Sequence, residues 1–203
     1  PPSAPSPSRG VLGVPLVLTA ALLALSALPR IADNPVLARA FWLAGGGLLV
    51  WLAVVAVRNP AGVAGFINVP PRPQHYIQMC CHLSVYGYWG YYWAPVYPYA
   101  PLLVGQLFFA YAFDMLLSWS RRQPYGLGFG PFPIVLSTNL FLWFKDDWFV
   151  FQFLLIAIGF LGKAFVRWER DGKLVHIFNP SAFTLALFSL VLIVTGTTGV
   201  TWA

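Results

Sequence analysis

Apolar side chains come in long runs along this chain, and polar residues gather in the short intervals between them. Runs cover Val11–Pro29, Ala40–Val57, Tyr76–Trp93, Tyr99–Trp119, Phe132–Phe144, Trp148–Val166 and Ala182–Thr198. Strands of 4–8 residues alternate with period two, whereas runs this long and this uniformly apolar read as helices, and a helix needs about 20 such residues to cross a bilayer. The pattern therefore predicts an all-α integral membrane protein of about seven transmembrane helices. The fifth run is short, roughly 13 residues, which predicts a tilted, extended or broken helix. No repeat of 20–50 residues is visible and no boundary sets off an extramembrane domain. Residues 1–10, rich in Pro and Ser, read as a disordered lead, and residues 11–203 as one transmembrane domain. The chain opens without Met and stops directly after an apolar run, so we expect a piece of a longer protein.

Composition points the same way. Of the 203 residues, 59% are hydrophobic and 9% charged, with a mean hydropathy of +0.71. Soluble domains carry about 25% charged residues, so lipid has to replace the missing polar surface. The net charge of +6 is set between apolar runs, which marks topology and argues against nucleic acid as a partner. With seven crossings, Arg9, Arg58, Arg72, Arg121, Arg122, Lys163, Arg167, Arg170 and Lys173 fall on one side, and Arg30, Arg39 and Lys145 on the other. Nine against three puts the N-terminus in the cytoplasm, in a bacterial-type inner membrane. Cys80 and Cys81 are adjacent and outside any CxxC, which reads as buried thiols rather than a redox pair.

Several residues carry candidate chemistry. Asp114 lies inside the fourth run, where a carboxylate is costly and marks a functional site by default. Arg121 and Arg122 follow at i+7 and i+8, so a paired carboxylate anchoring the helix end competes with an ion-coupling role. His75, Gln78 and His82 share one face of the third run and read as a polar stripe against a helix partner. Two His on one helix, with His176 the third in the chain, argue against haem. From Tyr86 to Tyr99 the text YGYWGYYWAPVYPY reads either as an interfacial aromatic belt or as a stacking surface for a flavin, quinone or pigment. Gly126, Gly128 and Gly130 mimic a dinucleotide loop without its preceding strand and read as a flexible turn. Ser137, Thr138 and Asn139 sit together in the short fifth run, as either a broken-helix site or interhelical hydrogen bonding. Asn179 before Pro180 reads as a helix cap that leaves a positive helix end toward the cytoplasm, beside Arg170 and Lys173, where a phosphate could be received.

The order Gly130-Pro-Phe-Pro-Ile-Val-Leu-Ser137-Thr138-Asn139, Leu161-Gly162-Lys163 and His176-Ile-Phe-Asn179-Pro180-Ser-Ala182 resembles the membrane flavoprotein family shared by Rnf ferredoxin–NAD oxidoreductases and sodium-pumping NADH–quinone reductases. About seventy residues, a third of the chain, carry it. The stretch Arg167–Lys173 stands where that family has a Gly-rich loop, and the aromatic insertion before Gly130 also departs from the two respiratory subunits, which suggests a divergent branch. The resemblance implies a membrane component of an electron-transfer complex, with other subunits as partners. Electrons would pass through FMN or a quinone, with possible coupling to cation movement through Asp114. It implies cofactor contacts from Ser137, Thr138, Asn139, Lys163, Asn179 and Pro180. In the family, FMN is bonded through phosphate to a Thr in Ser/Thr-Gly-Ala-Thr. Thr195-Gly196-Thr197-Thr198 mimics that text but falls at the end of its own span, so an attachment segment is expected beyond residue 203. The competing expectation is a non-redox subunit that stabilises a larger membrane assembly, which could contain pigment, or a transporter built on the broken fifth helix.

Overall fold

Every one of the seven apolar runs is helical in the computed structural model, which describes residues 8–68, 73–170 and 172–202. The expected lead falls mostly outside these residues, as does Arg72. The chain is all-α: α1 Gly13–Leu25, the single turn α2 Pro29–Ala32, α3 Pro35–Arg58, α4 Pro73–Tyr92, α5 Ala100–Ser120, α6 Pro131–Phe141, α7 Val150–Phe165 and α8 Pro180–Val194. Helix starts follow local chemistry. Asn34 accepts from the amides of Val36 and Leu37 at 3.0 and 3.2 Å, with Pro35 at the first helical position. Asn179 caps α8 in the same way through Ser181, and Gly196, at φ +68°, closes that helix in the left-handed conformation.

By length and composition, Pro35–Arg58 and Ala94–Ser120 are long and apolar enough to cross a membrane. The remaining runs fall short for two reasons. Four helices have only 10–17 residues, and α4, although 20 residues long, carries Gln74, His75, Gln78, His82 and Ser84.

The sequence did not foresee four short strands in the connections. β1 Phe66–Asn68 pairs in parallel with β2 Tyr125–Leu127, and β3 Arg167–Arg170 pairs antiparallel with β4 Lys173–His176. Gly126 is thus a strand residue opposite Ile67 rather than part of a flexible turn. These pairings sort the connections to two ends of the bundle. At one end Ser8 bridges Val63, Arg9 reaches the Pro60 carbonyl at 2.6 Å, and β1 meets β2. At the other, Arg30 forms an ion pair with Asp146 at 2.7 Å, and Phe144 bridges Thr201. Consecutive helices therefore run alternately up and down.

α1, α3, α5 and α7 form the main core. Phe41, Phe109, Phe149 and Phe153 interlock there, with Phe41 edge-on to Phe153 at 5.3 Å. α6 and α8 pack on α7, and α4 is peripheral, burying Gly90. Polarity is distributed in an unusual way. Val17, Leu43, Val50 and Val57 are 65 to 81% exposed, while Gln106, Thr138, Gln152 and Thr184 are fully buried.

Close helix approach depends on glycine. A Cβ at Gly105 would lie 2.5 Å from the Phe41 ring, which is held by Phe149 and Phe153. Gly105→Ala is therefore expected to lower the melting temperature, overpacking of about 1–3 kcal/mol outweighing a helix-propensity gain of roughly 1. Gly47 in α3 faces open space, and Gly47→Ala should raise it. Thermal unfolding of the two variants side by side checks both signs.

Candidate functional site

Polar groups inside an apolar bundle need partners, and α5, α6 and α7 supply them to one another. Asn139 on α6 donates to Gln106 Oε1 on α5 and to the Val135 carbonyl, both at 2.7 Å. Its own Oδ1 accepts from Gln152 Nε2 on α7 at 2.7 Å. Gln152 also donates to the Leu142 carbonyl and accepts from the Phe144 amide, which caps the open end of the short α6. One amide on α6 thereby fixes the depth of both neighbouring helices. Beside this hub, among the described residues, neither Gln106 Nε2 nor the Thr138 hydroxyl has a hydrogen-bond partner. Ser137, beside them, donates back to the Pro133 carbonyl within its own helix.

Asn139 also lines a cavity of about 780 Å³ between α4, the Ala94–Tyr99 turn and the end of α6. Trp89, Trp93, Tyr97, Trp143 and Trp202 contribute to its wall. The aromatic run splits by helix face: part of it enters this wall, while Tyr88, Tyr91 and Tyr92 point outward. Trp143 has a buried indole N–H without an acceptor among the described residues. Cavities of about 300–1,000 Å³, mostly apolar with a few polar groups, suit small lipophilic ligands.

Asp114 belongs to a different place. Its carboxylate meets Lys163 of α7 at 3.4 Å, so its ion-pair partner comes from another helix rather than from Arg121 or Arg122. Arg121 and Arg167 join the pair around a second cavity of about 200 Å³, at the end of the bundle where α5 and α7 finish. Tyr125 is buried at its edge. Burial first, and then the Asp114 charge, push its phenol well above the ordinary tyrosine range.

The residues marked in the sequence therefore occupy three places and do not enclose one cofactor. Ser137, Thr138 and Asn139 lie in the α5–α6–α7 interior, and Lys163 joins Asp114. Asn179 and Pro180 start α8 on another side of α7, where Gly159 and Gly162 let α8 approach. Asn179 spends its Oδ1 on Ser181, both amide and hydroxyl. The polar stripe on α4 is only partly covered, with Gln78 exposed and His75 and His82 half-buried, and Cys80 and Cys81 are exposed rather than buried. Sequence reading missed Gln106, Gln152 and Trp143. The signal that flagged Asp114, one polar residue within an apolar run, would have found both glutamines.

Asn139→Ala removes the hub of the amide chain and leaves Gln106 and Gln152 short of partners. A loss of about 2–4 kcal/mol is expected in a denaturant titration, and Gln152→Ala added to it should cost much less than it does alone. Additive losses would mean the three amides do not act as a unit. No protein-family model matches the chain, and neither a curated protein nor a solved structure does.

Proposed function

We propose that this chain is a multi-span component of a membrane electron-transfer complex, of the kind represented by the Rnf membrane flavoproteins, and that its aromatic cavity holds a lipophilic quinone. The membrane reading is supported by the inverted polarity of the bundle. Fully buried amides and hydroxyls sit inside it, and valines and leucines more than half exposed sit outside. The short helices α1, α6, α7 and α8 then cross by joining with the turns that flank them, with the first residues on the cytoplasmic side.

The observation that carries the quinone reading is the 780 Å³ cavity walled by Trp89, Trp93, Tyr97, Trp143 and Trp202. A quinone ring is flat and apolar on its faces, so it can stack on the tryptophans of this wall. Leu83, Val96 and Leu103 line the same cavity and suit an isoprenoid tail. When bound, a quinone supplies reversible two-electron, two-proton chemistry. The protein's residues orient it and keep water away. A flavin is less well served: its expected contacts are dispersed, and Asn139, Ser137 and Asn179 already spend their hydrogen bonds locally. Cation coupling at Asp114 is also disfavoured, because three basic side chains surround that single carboxylate. Partner subunits would supply and remove the electrons.

The test is quinone content and quinone binding of the protein purified in mild detergent. Organic extraction is expected to release quinone, and a short-chain benzoquinone should quench tryptophan fluorescence saturably. Trp143→Ala removes one stacking face from the wall and should weaken binding about threefold to tenfold. Gly87→Leu, at a position with open space that lines the cavity, should abolish binding. A protein that neither carries quinone nor binds it, or a Gly87→Leu variant that binds as well as the original, contradicts the assignment.

A further inference from the structure

The second cavity lies at the opposite end of the bundle and plays no part in quinone binding. Its chemistry is set by charge. Lys163 Nζ is tied to Asp114 at 3.4 Å and lies over the Phe160 ring at 5.3 Å. Arg167 spends its Nε on the Lys163 carbonyl at 3.0 Å, and its two terminal nitrogens have no acceptor among the described residues. Arg121 lies over the Phe165 ring at 5.4 Å and has no carboxylate partner among the described residues. Burial first, and then the neighbouring Arg167, disfavour the charge on Arg121, and Asp114 only partly offsets this. Arg121 just past α5, Lys163 in the last turn of α7 and Arg167 at the start of β3 thus face a common space holding one carboxylate, and two positive charges are left unmatched. Ser118 and Gln123 add side-chain donors on the same wall.

We propose that this cavity is a binding site for a phosphate group, held by Arg121, Arg167 and Lys163. Guanidinium groups suit phosphate because their paired N–H donors match two phosphate oxygens at once. An anion here relieves the repulsion between Arg121 and Arg167 and gives Lys163 a second partner beside Asp114. With the first residues of the chain on the cytoplasmic side, the site lies at the cytoplasmic face, level with lipid headgroups. Either an acidic phospholipid or a free phosphate compound from the cytoplasm carries the required group.

Binding is read by the shift in melting temperature of the detergent-purified protein, titrated separately with phosphatidylglycerol, phosphatidylcholine and inorganic phosphate. A saturable shift with phosphatidylglycerol but not phosphatidylcholine identifies a lipid headgroup, and a shift with inorganic phosphate identifies the free anion. The Arg121→Gln, Arg167→Gln double variant should bind about tenfold more weakly or not at all. Asp114→Asn frees Lys163 and removes the competing negative charge, so it should bind severalfold more tightly. No shift from either phosphate source overturns the proposal, as does undiminished binding in the double variant or weaker binding in Asp114→Asn. Quinone binding is measured on the same samples and is expected to be unchanged, so failure at one site is distinguishable from failure at the other.

Discussion

The Asn139 side chain sets the interior of this protein. In a bundle whose helices are apolar nearly all round, hydrophobic pattern alone cannot fix which faces meet or at what depth. A saturated amide with partners on two other helices does both, because sliding any of the three by one residue would strand a buried donor. α6 is only 11 residues long, and Gln152 completes its end by accepting the Phe144 amide. The short helix and the polar hub therefore depend on each other. Around them, aromatic interlocking and glycine contacts at Gly45, Gly105 and Gly162 bring backbones close, which suits association of helices in lipid, where burial of apolar surface gives no net drive.

The two candidate sites divide along the bundle axis. One end carries an aromatic, nearly uncharged cavity bounded by the peripheral α4, and the other carries the charged cluster where α5 and α7 finish. α5 runs between them and contributes to both, Leu103 at one cavity and Asp114 at the other. On our reading, a hydrophobic carrier and a charged group thus approach a single rigid helix from opposite membrane faces. α4 is held to the rest through few contacts, among them the Tyr86 hydroxyl on the Leu136 carbonyl at 2.9 Å and Tyr97 against Gly90. α4 is thus the least anchored wall of the aromatic cavity.

Much of the fold was legible in the sequence because apolar runs and caps are local signals. Asn179, followed by Pro180, marks a helix start that the structure places at that residue, whereas the Asn34 cap that starts α3 at Pro35 went unread. Connections were harder. Three- and four-residue strand pairs between Phe66 and Tyr125, or Arg167 and His176, are too short to show alternation, and the first joins segments far apart in the chain. The site was legible in part. Asp114 stood out as a carboxylate in an apolar run, yet its partner could not be read from helical spacing, because Lys163 comes from a helix 49 residues away. Ser137, Thr138 and Asn139 looked like one cluster and serve three ends: a bond within the helix, an unfilled hydroxyl and the interhelical hub.

Both proposed sites require lipid as the solvent of the outer surface, where Val17, Leu43, Val50 and Val57 stand exposed. Washing membranes from cells that express the chain with alkaline carbonate tests this directly. The protein is expected to stay in the membrane pellet and to leave it only with detergent. Release into the aqueous wash, as a monodisperse species that needs no detergent, would contradict a lipid-solvated bundle and both sites built on it.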